Sequence, residues 1–118
     1  REAAPAADKK EAMKLYDIRW TALDPVRGAE MAKTRPAVIV SLDTLNLNLK
    51  TVTVCPLTSE LHPAWRSRVP VRCGGRPAEI AVDQIRAVSK ARLGDRLGSL
   101  TRDEAAVLRR VITEMYGA

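Results

Sequence analysis

Three short runs hold the residue types that could act on a charged substrate. Glu30, Lys33 and Arg35 stand before the apolar run that opens at Pro36, Thr58-Ser59 follows the stretch Thr51–Leu57, and Asp83-Gln84-Ile85-Arg86 follows a further apolar segment. Arg35 is the odd member, a permanent cation at the mouth of a strand that ought to be buried. A guanidinium does not easily lose its proton and presents a planar fork of donors, so its natural task is to hold a phosphate or to stabilise charge building on one. Thr58 offers a hydroxyl that both donates and accepts. Spacing alone leaves a plainer reading open, with Arg35 an ordinary strand-edge cation and Thr58 a loop cap.

Other chemistries lack their parts. His62 is the sole histidine and lies between Leu61 and Pro63 in a loop, which leaves no paired-imidazole acid/base site. No Ser-His-Asp arrangement, phosphate-binding loop or dinucleotide fingerprint is present. Gly74-Gly75 has no helix and lysine behind it, and is better placed as a hairpin turn. Cys55 and Cys73 have neither CxxC spacing nor a nearby histidine, so a disulfide framework or zinc site is not expected, and two unpaired thiols suit a reducing cytoplasm. No metal or other cofactor is expected. With 20 Lys and Arg against 14 Asp and Glu, the net charge is +6. That balance points to polyanionic partners, nucleic acid ahead of membrane, the alternative being a merely soluble basic surface. No apolar run approaches membrane-spanning length.

The elements that must position these residues are short. At 118 residues the chain is one domain. Residues 1–12 are rich in Ala and charge without an apolar period, and are expected to be a disordered tail or a leftover of cloning; the domain is 13–118. Tyr16, Ile18, Trp20 and Ala22 alternate with Asp17, Arg19 and Thr21 as in a half-buried strand. Residues 25–34 read as a polar loop, Pro36–Ser41 as a second strand with proline first, 42–49 as a helical turn or loop, and Thr51–Leu57 as a third strand. Arg68–Arg72 and Ala78–Val82 form a hairpin about Cys73-Gly74-Gly75-Arg76-Pro77. Asp83–Val88 continues as strand or bends away, and 92–100 ends in a short strand. Thr101 with Glu104 is a capping box, after which Leu108, Val111, Ile112 and Met115 share a helical face and Gly117 suits the stop. Strands followed by one amphipathic helix make a mainly β, α+β fold, a small twisted or barrel-like sheet.

Taken in order, the motifs are similar to those of one family. Leu23-Asp24-Pro25-Val26-Arg27-Gly28 with Glu30, then Lys33-Thr34-Arg35-Pro36-Ala37-Val38, resembles the opening signature of the MazF/PemK toxins. Pro56-Leu57-Thr58-Ser59 and Asp83-Gln84-Ile85-Arg86 resemble the second and third blocks, with Arg92-Leu93-Gly94 behind them. The resemblance runs from about Tyr16 to Tyr116. It implies a Src-homology-3-like barrel of the CcdB/PemK type with a C-terminal helix, commonly a homodimer. It further implies a metal-independent endoribonuclease that cuts single-stranded RNA and is restrained by an acidic, MazE-like antitoxin. Arg35 falls on the family's catalytic arginine and Thr58 on its catalytic threonine. Glu30 and Ser59 become candidates for base or positioning, and Arg27, Lys33, Asp83, Gln84 and Arg86 for RNA contact. Tyr16 stands where the family usually has glycine, and Met31 where it often has glutamine, two departures expected near the substrate-facing loop. Rival readings are a gyrase-poisoning toxin of related fold and a non-catalytic RNA-binding barrel.

Overall fold

Proline placement explains how one strand serves two sheets. In a computed structural model, which describes residues 12–23 and 34–117, β3 (Thr51–Thr58) gives Thr51–Val54 to β6 (Arg86–Ser89) and Leu57–Thr58 to β5 (Arg76–Ala81). Pro56 falls in the gap between those ladders, where a missing N–H costs no bond on that edge. The sheet curls there into an antiparallel half-barrel of seven strands. Its order is β4 (Arg68–Cys73), β5, β3, β2 (Thr34–Ile39), β1 (Asp17–Ala22) and β7 (Leu93–Ser99), with β6 on the first half of β3. The short helix α1 (Asp43–Asn48) precedes β3, and α2 (Arg102–Tyr116) closes the described chain.

Both faces of the sheet are covered. Ile18, Val38, Cys55, Leu57, Val69, Val71, Ile80 and Val82 pack beneath α2, which inserts Leu108 and Val111. Leu23, Ala37, Ile39, Val52, Val54 and Val88 make a second core on the other side. Such two-sided burial explains why Val38 and Ile39 are both fully enclosed although they point oppositely. The capping box forms as expected: Thr101 Oγ1 accepts from Glu104 N–H at 3.1 Å, and Glu104 Oε1 accepts from Thr101 N–H at 2.8 Å. No helix among the described residues is long and apolar enough to cross a membrane.

Several boundaries differ from expectation. β2 starts at Thr34 and Pro36 is its third residue, which is tolerated because pairing with β3 begins only at Ala37. Residues 42–49 contain a true helix, held by the buried Asn46, whose Nδ2 donates to Ser41 O at 2.9 Å. Asp83 belongs to a 3-10 turn (Val82–Gln84) that bends the chain into β6, and residues 93–99 form a full strand. Met115, expected on the buried face of the helix, is 37% exposed.

Tyr16 is not the first residue of an ordinary strand. Its φ is +73°, and no other described non-glycine residue is left-handed. Both backbone groups are engaged: its N–H donates to Ile39 O at 2.7 Å, and its carbonyl accepts from Leu100 N–H at 3.0 Å. The phenol oxygen accepts from Arg109 Nη1 of α2 at 3.1 Å. Glycine is common at this position in the resembling family for a plain reason, since a Cβ there is strained. Tyr16 lies at the opposite end of the β1–β2 ladder from Arg35, so this departure is remote from the loop where it was expected. An inversion of the usual rank follows. Tyr16→Gly should be more stable than Tyr16→Ala by about 1 kcal/mol, since alanine keeps the strain and loses the ring. Urea unfolding of the two variants measures the difference.

Candidate functional site

Strand register brings the two central candidates together. Ala37 lies opposite Pro56, Val38 opposite Cys55 and Ile39 opposite Val54; carried two residues further, the same register sets Arg35 level with Thr58. Both line one open cavity of about 700 Å³. β2 enters it from one side, the end of β3 from another, and the β4–β5 hairpin supplies Gly74 and Arg76. Gly74 and Gly75 adopt φ of +61° and +79°, the conformation a tight hairpin turn needs, which lets the backbone come close to the cavity.

The electrostatics are one-sided. The guanidiniums of Arg35 and Arg76 make no hydrogen bond or ion pair with a described residue, as the ion pairs lie elsewhere, at Arg66–Glu114, Arg68–Glu79, Arg68–Asp83 and Arg96–Asp17. Glu60 is the one carboxylate among the described residues that line the cavity. Thr58 Oγ1 accepts from Glu60 N–H at 3.0 Å, which leaves its hydroxyl hydrogen free to donate outward. Two uncompensated guanidiniums with a directed hydroxyl make a site for an oxyanion.

Trp20 and Leu97 supply an apolar wall, and Ser59 lies beside Thr58. Trp20 was legible only as the apolar side of an alternating strand; in the fold it pairs with Pro36 and remains 42% exposed in this cavity. Arg76 was read only as part of a turn. What could have revealed it is its place beside paired glycines, a loop that leaves a long side chain free to reach sideways.

The third sequence block goes elsewhere. Asp83 Oδ1 accepts from Arg68 Nε at 3.1 Å, Gln84 ends the 3-10 turn, and Arg86 pairs with Val54 in β6; none of the three lines the cavity. Arg27, Glu30, Lys33 and Met31 lie outside the described residues. His62 stacks on Trp65 with ring centroids 3.9 Å apart, and Arg68 covers the Trp65 ring at 4.6 Å. Both cysteines are free. Cys73 lines the cavity, whereas burial, aided by the Asp83 charge, pushes the Cys55 thiol up to about 12, which leaves it un-ionised and inert. Among the described residues no three His, Cys, Asp or Glu side chains group as metal ligands.

Asp83 has an energetic role that can be measured. Partial burial raises its pKa, but hydrogen bonds from Ser67 and Arg68, together with the Arg68 charge, outweigh this and hold it below the ordinary carboxylate value. A lowered folded pKa contributes stability above the unfolded value, near 3.9, and loses it as pH falls through the folded one. Asp83→Asn should therefore cost about 1 kcal/mol at pH 7, and the gap from wild type should begin to narrow as pH falls below about 4 and close only beneath the folded value. Denaturant titrations at several pH values read this directly.

Residues 14–116 match the family model for the PemK-like, MazF-like toxin of type II toxin–antitoxin systems. The Endoribonuclease MazF9 of Mycobacterium tuberculosis is 30% identical over 105 residues, covering 81% of this chain and 89% of that protein. MazF from Deinococcus radiodurans superposes with a TM-score of 0.73 at 21% identity, over 89% of this chain and 96% of that one. A MazE–MazF complex from the same organism gives 0.76 at 20% identity, over 90% and 97%. The Mycobacterium tuberculosis toxin MazF-mt6 gives 0.72 at 23% identity, over 86% and 96%.

Proposed function

The chain belongs to the PemK-like, MazF-like toxin family of type II toxin–antitoxin systems, and on that premise we propose that it is an endoribonuclease whose cut is made between Arg35 and Thr58. The observation that carries this reading is the shared cavity, in which a guanidinium without a described counter-ion stands level with a free hydroxyl donor. The 2′-hydroxyl of one ribose attacks the adjacent phosphorus, a new O–P bond forms, and the bond to the 5′-oxygen breaks. The products are a cyclic phosphate and a free 5′-hydroxyl.

Arg35 stabilises the charge that builds on the phosphorane, where a planar fork can hold two oxygens at once. Thr58 donates to the same phosphate and fixes it for in-line attack. The proton of the 2′-hydroxyl passes to a carboxylate. Glu60 stands in the wall for that purpose, and Glu30 is the sequence candidate on the undescribed segment. The leaving oxygen takes a proton from Arg35 or water. Ser59 and Arg76 hold the strand, Arg86 meets it beyond the cavity, Arg27 and Lys33 are sequence candidates for the same task outside the described residues, and Trp20 offers a face on which a base can stack. Asp83 holds Arg68 rather than contacting the scissile phosphate, and Gln84 lies outside the cavity.

Its substrate is single-stranded RNA, cut to inhibit translation and growth. Its second partner is an acidic antitoxin segment laid across the same basic cavity, and its working unit is a homodimer. Exposed Leu42, Leu45, Leu47 and Leu49 around α1 provide apolar surface beyond what a lone copy needs.

Single-turnover cleavage of one RNA tests the pair. Arg35→Lys should fail almost as badly as Arg35→Ala, each losing ~10²–10³ in rate, while RNA affinity falls far less. Thr58→Val should slow cutting in a folded protein, and the double variant should lose less than the product of the single losses. Near-normal cutting by Arg35→Ala would return Arg35 to a strand-edge cation. A second measurement concerns metal: cleavage should persist in excess chelator, and a loss restored by Mg²⁺ would contradict the mechanism.

A further inference from the structure

The β4–β5 hairpin brings a second guanidinium to the cavity that Arg35 and Thr58 share. Cys73 and Arg76 are the last partners of its ladder, with Gly74 and Gly75 between them at left-handed φ. Two adjacent glycines alone would leave such a turn free to change conformation. Arg72 removes that freedom, because its Nη2 donates to Gly75 O at 2.7 Å and so holds the peptide group that leads directly into Arg76. Arg72 and Arg76 are both exposed, but they differ in what they face. Arg76 lines the cavity of Arg35 and Thr58, and its guanidinium has no hydrogen bond or ion pair among the described residues. Arg72 lines a neighbouring smaller cavity instead.

Register shows that the two arginines approach from different places. Thr58 is flanked by β2 on one side and β5 on the other. Arg35 is level with it on β2. On β5 its partner is Glu79, and Arg76 stands three residues nearer the turn. By ordinary strand spacings, the two arginine backbones are about 10 Å apart across the sheet and roughly 10 Å apart along it. Arg35 and Thr58 already offer a fork and a hydroxyl to the scissile phosphate, whereas a strand fixed at one phosphate presents the next one within the same cavity. We propose that Arg76 clamps the internucleotide phosphate beside the scissile one, and that Arg72 is the positioning residue that aims it. The cavity then takes two phosphates, one held for chemistry and one for grip, and the grip is indifferent to base. The inference rests on the RNA-cleavage reading, but its test does not use cleavage.

A short, fluorescein-labelled single strand of thymidylates lacks the 2′-hydroxyl and cannot be cut. Its binding is measured by anisotropy over a range of salt, where each phosphate neutralised adds about 0.7 to the slope of log affinity against log salt. Arg76→Ala should bind about tenfold more weakly and lower that slope by about 0.7. Arg35→Ala should lower it by a similar amount, and the double variant by about twice as much, since two phosphates then lose their partners. Arg76→Gln, uncharged but still long, should match Arg76→Ala and guards against a turn disturbed by alanine. Arg72→Ala should weaken binding in the wild-type background and cost nothing further in Arg76→Ala, a coupling that a direct phosphate contact would not give. An unchanged slope in both Arg76 variants would overturn the inference and leave Arg76 to a carboxylate of the antitoxin segment. A double variant no worse than either single would put both guanidiniums on one phosphate and refute it equally, as would failure of wild type to bind the strand. If the Arg72→Ala loss persists in Arg76→Ala, the positioning role is wrong. RNA cleavage in a separate assay judges the preceding reading, so the two can fail independently.

Discussion

β3 changes partners at Cys55-Pro56, and the geometry of the molecule descends from that change. A strand paired to one neighbour along its whole length would leave a flat sheet with a single core. Here the first half leads into β6 and the last two residues into β5, so the sheet curls and both of its faces acquire apolar cover. The same step sends the end of β3 outward beside β2, where the continued register sets Thr58 level with Arg35. A one-residue slip would turn one of them to the opposite face. The alignment of Arg35 with Thr58 and the closure of the barrel are therefore one constraint, held by buried ladders rather than by flexible loops.

Most of the architecture was legible because it depends on local pattern. The Tyr16–Ala22 alternation, the Cys73–Pro77 turn and the Thr101/Glu104 box each announce an element through a mechanism that acts over a few residues. The pattern at Asp83 admits both strand and bend, and the bend is what forms, while at residues 93–99 it announces only a short strand, since an exposed edge strand has weak periodicity. The site was legible in part. Arg35 and Thr58 could be named, and their order matches a family pattern, but spacing in sequence does not reveal that the 22 intervening residues return the chain to the same cavity. Trp20 and Arg76 were invisible as cavity residues because their places arise from pairing: Trp20 with Pro36, Arg76 across a hairpin.

Arg68 shows how a buried charge can organise a loop. Its guanidinium reaches Asp83, Glu79 and the Glu60 carbonyl while lying over Trp65, so it ties the β3–β4 connection to β5 and to the following bend. An enclosed ion pair contributes little net stability once desolvation is counted, yet losing one partner is costly. The cluster is better understood as fixing one conformation of the residues after Thr58. Asp83 thus belongs to this cluster and not to the cavity lining.

Arg35 and Arg76 face solvent without a described counter-ion, and that carries a consequence for life in a crowded cell. Any polyanion that meets the open cavity gains from releasing its condensed counterions, whatever its sequence or sugar. Ribosomal RNA, transfer RNA and DNA must all compete for the same surface, and occupancy alone cannot tell friend from target. A protein built this way spends much of its time on molecules it leaves intact. Its choosiness must reside in the chemical step and in whatever the neighbouring walls demand of a base, while attraction itself stays indiscriminate.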